Sequence, residues 1–273
     1  PALKSADIGS AMGITGTEVA REAARMILAD DNFATIVAAV REGRGIFDNI
    51  RKFLRYLLSS NMGEVLTVFL GVIGAALIGL QGSGGELALP LLATQILWIN
   101  LVTDSGPALA MGVDPEIDDV MARSPRSSKE RIIDRRMWSG ILAIGLVMSV
   151  ATLLTIDIFL PGGLVEGRDS IEVARTAGFT TLVFAQLFNA FNSRSETTTA
   201  FHRLFVNKWL WGSVGLAVLL QIAVVELPPL QTAFGTAHLD AAHWAVCVGM
   251  ASSVLWFDEL RKLMLRRGTR PRL

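Results

Sequence analysis

The sequence predicts a mainly helical, polytopic membrane protein: six transmembrane helices preceded by a short α/β segment. Hydrophobic residues make up 51% of the 273 positions and mean hydropathy is positive. The chain therefore holds too many apolar runs of about 20 residues for a water-soluble protein of this size. Breakers rich in glycine, proline or acids separate the runs, and lysine and arginine crowd onto alternate connections. The formal net charge is zero and there is no basic face, so no nucleic-acid partner is expected. A single cysteine, Cys247, rules out an internal disulfide and a cysteine metal site, and reads as a small buried hydrophobe. The opening Pro1-Ala2-Leu3-Lys4 carries none of the marks of a signal peptide, and is expected to lie inside a longer gene product.

Residues 1–43 read as α/β material. The stretch 6–13 is short, apolar and glycine-containing, Thr17 is placed to cap a helix over 18–25, and Met26-Ile27-Leu28 suits a short buried strand. Forty residues without metal or disulfide bury too little surface to fold alone, so this is expected to be the end of a larger domain. From Asp31 the pattern turns helical. Ile36, Val37, Val40, Ile46, Phe47, Ile50, Phe53, Leu54 and Leu57 recur at three- and four-residue spacing, with Gly43 and Gly45 as a candidate joint. A stalk is expected over 44–58 and the membrane domain over 59–273, with one helix continuous from about 31 to 80.

Six spans follow, near 59–80, 90–112, 137–160, 173–193, 209–229 and 241–260. The connections 81–89, 161–172 and 227–240, the last with a Pro-Pro pair, fall on one side. Eight lysines and arginines precede the first span, six lie in 113–136, three follow the fourth span and six follow the sixth, while the other side has only Arg168 and the boundary residue Arg175. This asymmetry predicts cytoplasmic N- and C-termini. Trp138, Trp209, Trp211 and Trp244 sit near span ends as interfacial residues.

Ionisable groups inside hydrocarbon cost several kcal/mol, so each is a functional candidate. Asn61 and Glu64 stand three residues apart in the first span; Asn100, Thr103 and Asp104 repeat that spacing in the second. Two such clusters on adjacent helices make an oxygen-rich cage of the kind that hard cations require. Ser105-Gly106-Pro107 follows directly, and the proline is expected to loosen the helix and free backbone carbonyls. For Asn61, Asn100 and Thr103 the competing reading is interhelical hydrogen bonding; for Glu64 and Asp104 that reading is weaker. Glu196, near the end of the fourth span, reads either as a further ligand or as a solvated carboxylate, and spacing favours the second. Gln186, Asn189 and Gln221 read as packing groups, Asp157 and Glu226 as exposed carboxylates at span ends, and the scattered His202, His238 and His243 indicate no histidine metal site.

Pro1 to Gly9 followed by Ala11-Met12-Gly13 resembles the stretch after the magnesium-binding hinge motif of type II P-type ATPases. Asp30-Asp31-Asn32-Phe33, Thr35-Ile36-Val37 and Glu42-Gly43-Arg44 are similar to the end of their haloacid-dehalogenase-like phosphorylation domain. The run 46–64, with Asn49, Arg55-Tyr56 and Ser59-Ser60-Asn61, resembles their stalk and fifth transmembrane helix, and Leu97-Trp98-Ile99-Asn100-Leu101-Val102-Thr103-Asp104 their sixth. The resemblance is closest to calcium pumps of the sarcoplasmic-reticulum type, and bacterial-like.

It implies that the six spans are helices five to ten of an ATP-driven cation exporter in the plasma membrane. It also implies Ca2+ as the transported ion, with Mg2+ and ATP bound by a cytoplasmic part absent from these residues. Asn61, Glu64, Thr103, Asp104 and Glu196 would form one calcium site; Asn100 and Asp104 would join a second, completed by a helix also absent here. The run 189–196 resembles the family's eighth helix, which raises the standing of Glu196. The sequence departs from the family's Gly-Leu-Pro after the sixth-helix aspartate. No Asp-Lys-Thr-Gly-Thr, Thr-Gly-Glu or Gly-Asp-Gly motif occurs, so these residues alone are expected to hydrolyse no ATP. The expected partners are the lipid bilayer, the N-terminal part of the same pump and the transported cation. Sodium or manganese remain alternative ions. A passive channel or secondary transporter is the alternative of another class, against which stands the lack of an internal repeat.

Overall fold

The computed structural model describes residues 1–80, 88–117, 119–122, 124 and 131–268. The expected loop 81–89 is therefore described only at Ala88 and Leu89. Arg123, Arg126, Lys129, Arg270 and Arg272 of the charge count also lie outside the described residues.

The chain divides into two compact units. The first holds residues 1–48 with the segment around Val120. After a one-turn helix α1 (Ala2–Ser5), strand β1 (Ser10–Met12) pairs in parallel with β2 (Met26–Leu28), Ala11 opposite Ile27. The crossover between them is α2 (Glu18–Ala23), capped by the Thr17 hydroxyl, which accepts from the Ala20 amide at 3.3 Å. Asp31 takes a left-handed backbone (φ 50°). Its carboxylate there accepts from the amides of Ile14 and Thr15 at 2.9 and 2.7 Å and from the Thr15 hydroxyl at 2.6 Å. Within 1–48 only Ala11 and Leu28 are buried hydrophobic side chains, far short of an independent core.

Helix α3 (Ala34–Ile73) runs 40 residues, about 60 Å at 1.5 Å per residue, without interruption at Gly43 or Gly45. It stops short of the expected Leu80: Gly74 opens a run of turns ending near Gly79, whose φ of +69° suits only glycine.

The second unit takes in residues 49–117 and the chain beyond residue 125, with a helical core. Its elements are α4 (Ala93–Trp98), a π-helical turn over Ile99–Thr103, α5 (Ser105–Gly112), α6 (Arg135–Phe159), α7 (Ile171–Asn192), α8 (Lys208–Glu226), α9 (Pro228–Phe234) and α10 (Ala241–Gly268). The span expected at 90–112 is thus three segments. Pro107 has no N–H for the Thr103 carbonyl, and Asp104 bonds back five residues to Ile99 at 2.9 Å, which widens the turn just before the proline. The Pro-Pro pair, expected as a break, instead opens α9, because proline fits the first turn where its missing N–H is no loss.

Among the described residues three helices are long and apolar enough to cross a membrane: α3, α6 and α8. Helices α7 and α10 have the length, at 22 and 28 residues, but threonine, glutamine and asparagine interrupt the apolar run of α7, and histidine, serine and aspartate that of α10. Helix α7 is the axis of the bundle. Phe179, Leu182, Val183 and Ala185 are buried against Ile144 and Met148 of α6, Ala217 and Val224 of α8 and Ala251 and Val254 of α10. A helix enclosed by protein on every side can carry polar groups that a lipid-facing one cannot. Cys247 is buried as expected, its thiol 3.3 Å from the Ala177 carbonyl.

Asp157 differs from the sequence reading. It is fully buried, and its two carboxylate oxygens accept from the amides of Leu164 and Val165 at 2.7 and 3.0 Å. The loop after α6 folds back over it, and linear proximity to a span end gives no hint of that return.

Candidate cation site

The buried face of α3 in this unit is a stripe of small and polar side chains rather than aliphatic ones: Tyr56, Ser59, Ser60, Gly63, Glu64, Thr67 and Gly71. The spacing of three and four places them on one side. Small residues allow close approach to α6: a Cβ on Gly145 would stand 2.7 Å from Cγ of Met62, and one on Gly63 would stand 2.9 Å from Sδ of Met148. Helical hydroxyls return to their own backbone, Ser59 to the Arg55 carbonyl and Thr67 to that of Gly63, both at 2.7 Å.

Glu64 is 4% exposed and Asp104 1%. Oε2 of Glu64 accepts from the Asn100 amide at 2.6 Å, and Oε1 accepts from the Gln186 amide of α7 at 2.9 Å. Asn100 also donates to the Ile96 carbonyl at 3.0 Å, and Thr103 donates to the Ile99 carbonyl at 3.1 Å. Asp104 receives one side-chain donor, the Tyr56 hydroxyl on Oδ1 at 2.7 Å. Among the described residues its Oδ2 has no partner, and neither do Oε1 of Gln186 and the Ser60 hydroxyl, although all three are buried. An apolar groove of about 550 Å3 along α3, lined by Val65, Val68, Phe69, Val72, Ile73 and Ile96, reaches Glu64. Two carboxylates and several neutral oxygens therefore converge with a deficit of donors. Buried acceptors without donors are costly, and a hard cation is one species that satisfies such oxygens. Among the described residues no three histidine, cysteine, aspartate or glutamate side chains gather as a metal site.

Of the six residues expected from the sequence, Glu64 and Asn100 are bonded here, Asp104 meets Tyr56 of the same α3 stripe, and Thr103 is buried next to Asp104 with its hydroxyl turned to the Ile99 carbonyl. Asn61 and Glu196 are placed elsewhere. Asn61 is on the exposed side of α3, its amide donating to the Leu57 carbonyl at 2.9 Å. Glu196 lies at the end of the bundle where α7 finishes, with Oε1 at 2.7 Å from Nη2 of Arg55 and 3.3 Å from Nη2 of Arg51. Arg55 also donates to the Ser193 carbonyl at 2.9 Å. Gln186 and Tyr56 enter the cage in addition. The three-residue step from Gln186 to Asn189, whose amide donates to Ser59 at 2.7 Å, is the sequence signal for a polar stripe on α7 facing α3.

The same end of the bundle holds a second buried carboxylate in a contrasting setting. Asp114 receives Lys52 Nζ at 2.7 Å, Arg194 Nε at 3.1 Å and the Asn207 amide at 2.9 Å. Nearby, Asp134 caps α6. Partial burial pushes its carboxyl up, but the Met137 amide and the Arg51 guanidinium outweigh this and hold it below the usual range.

A family described as cation transporting ATPase, C-terminus, matches residues 88–264. A calcium-transporting ATPase of Bacillus subtilis (strain 168) is 43% identical over 252 residues, 92% of this chain and 27% of that protein. Calcium-transporting ATPase 1 of Bacillus cereus is 39% identical over 277 residues, 96% of this chain and 30% of that protein. Calcium-transporting ATPase type 2C member 2 of Rattus norvegicus is 41% identical over 263 residues, 96% of this chain and 26% of that protein. The chain thus spans between 26% and 30% of the length of these relatives.

Proposed function

Since the chain belongs to the cation-transporting ATPases, we propose that it is the ion-binding membrane part of an ATP-driven calcium exporter. The observation that carries this is the donor deficit at the cage: Glu64 and Asp104 face each other's helices with Oδ2 of Asp104, Oε1 of Gln186 and the Ser60 hydroxyl left without partners. Calcium takes six to eight oxygen ligands in flexible geometry, which a set of carboxylates, amides and hydroxyls supplies. The relatives named calcium-transporting favour calcium over sodium or manganese, which oxygen ligands alone do not separate.

In this reading Glu64, Asn100, Thr103 and Asp104 bind the ion together with Gln186, and Tyr56 orients Asp104. Asn61 and Glu196 stay outside the set in the conformation described. Helices α3, α6, α7, α8 and α10 and the combined α4–α5 segment make the six spans, the lysine and arginine asymmetry puts both termini in the cytoplasm, and the plasma membrane is the location. Residues 1–43 are the end of a phosphorylation domain at which the whole pump uses ATP and Mg2+; their parallel β1–α2–β2 unit is the kind of piece such a domain contains.

The test is phosphoenzyme formation from labelled ATP by the whole pump that carries these residues, titrated with calcium, manganese and sodium, for wild type and Glu64→Gln. Calcium-dependent phosphorylation whose half-saturation rises at least tenfold in the variant is expected. Phosphorylation driven by another ion would change the substrate and keep the cage; a variant indistinguishable from wild type with every ion would sink the cage assignment.

A further inference from the structure

At the end of the bundle opposite Glu196, one histidine is held between two carboxylates from different segments. His243 stands in the first turn of α10, where its backbone amide donates to the cap residue Asp240 at 2.9 Å. Its Nδ1 lies 2.6 Å from Oδ1 of the same Asp240, and its Nε2 lies 3.3 Å from Oδ2 of Asp169, in the loop between α6 and α7. The ring packs on Phe159 at the end of α6, with centroids 4.6 Å apart, and the side chain is only 15% exposed. Asp169 is itself anchored, its amide donating to the Phe159 carbonyl at 2.9 Å, and the next residue, Ser170, caps α7. One imidazole therefore joins the end of α6, the start of α7 and the start of α10.

A neutral imidazole has one N–H and one lone pair. In that form one ring nitrogen would set its lone pair against a carboxylate oxygen. Only the doubly protonated ring donates on both sides. The α10 N-terminus disfavours a cation, and the two facing carboxylates oppose that directly from both ring nitrogens. The other titratable pair nearby, Glu226 with His238 at 2.5 Å, meets α10 through Trp244 Nε1 and makes no bond to His243 among the described residues.

We propose that His243 is an acid-strengthened clasp: protonation ties Asp169 to Asp240 and fixes the three helix ends, and deprotonation releases the loop after α6. This goes beyond the transport reading, which enters only in assigning that end, and so the pH it senses, to the outer side. The sign follows from the geometry. The added stability is present when the ring is charged and is lost as pH rises and the ring becomes neutral.

The test compares the detergent-solubilised whole protein with His243→Gln and, separately, Asp169→Asn, which leaves the α10 cap in place. Thermal midpoints and amide exchange over 164–170 are read from about pH 8.5 down to about pH 5.5. Wild type should gain about 2–4 °C in midpoint over either variant on acidification, with amide protection factors (rates divided by the intrinsic rate at each pH) at 164–170 rising in wild type alone. His238 is present in all three proteins, so its contribution cancels in the comparison. If both variants follow the wild-type pH dependence, the clasp is refuted. If His243→Gln does not fold, Asp169→Asn decides on the same two readouts.

Discussion

Asp104 and Asp114 are ten residues apart in sequence and almost equally buried, at 1% and 4% exposure, yet their surroundings are opposites. Asp114 is saturated: a lysine, an arginine and an asparagine converge on its carboxylate. Asp104 has one tyrosine hydroxyl and a bare second oxygen, with Glu64 as the other acid of its cage. Burial alone does not tell a structural carboxylate from a ligand. The count of donors does, because a group whose valence the protein already fills has nothing left for an ion.

The largest expected effect falls on the saturated side. Asp114→Ala leaves Lys52 and Arg194 buried without a counter-charge and should destabilise by about 3–5 kcal/mol, read as lost folded yield and a lower unfolding midpoint in detergent. A near-wild-type midpoint would erase the distinction between the two aspartates. Next come the cage acids. Asp104→Asn and Glu64→Gln should leave ion-free stability close to wild type while abolishing the rise in midpoint on adding calcium, which for wild type is worth about 2.7 kcal/mol at one hundred times Kd. An equal calcium response in both variants would move the site elsewhere.

Gln186→Leu tests the neutral part of the cage. It removes a donor to Glu64 and an unpartnered acceptor at once, and should weaken calcium binding about tenfold, or about 1.4 kcal/mol, by equilibrium binding of labelled calcium. Glu196→Gln should act on stability instead, by about 1–2 kcal/mol, because it takes the carboxylate charge from buried Arg55 and half-buried Arg51 while leaving an amide oxygen to accept, with calcium affinity unchanged. A tenfold loss of affinity would return Glu196 to the ion set. The smallest effect is an acid one. The Thr15 hydroxyl, with the Ile14 and Thr15 amides, holds the Asp31 carboxyl below the usual carboxylate range. Its contribution to the β1–β2 unit is therefore full above about pH 4 and lost as pH falls through the depressed value. A fall in the amide protection factors of β1 in acid, absent in Asp31→Asn, is the expected signature.

The helices were legible because apolar length and three- to four-residue spacing are local properties. So was the placing of Glu64 and Asp104 as acids inside the bundle, since acids in apolar runs stand out whatever they touch. Facing was not legible. Asn61 sits three residues before Glu64, yet that step leaves it about 60° around the helix, enough to carry it over the edge to the exposed side. Gln186 was readable only as a packing group because its partner Glu64 lies 122 residues away. Glu196 was drawn in by resemblance and is placed at Arg51 and Arg55 by contacts 145 and 141 residues distant. Asp157 reads as a solvated acid in sequence because the returning loop that buries it has no periodic signature.

The interlock of Gly63 with Met148 and of Gly145 with Met62 adds a mechanical property to the bundle. It sits one residue, about 1.5 Å along the axis, from Glu64, and about 21 Å from Asn49. Such a contact is a close approach of α3 and α6 beside Glu64. Any rocking of α3 about it would sweep the far arm of the helix through several ångströms while Glu64 itself scarcely moved. Under the function proposed above, tilt would become leverage: large excursions at the arm would translate into small adjustments around Glu64.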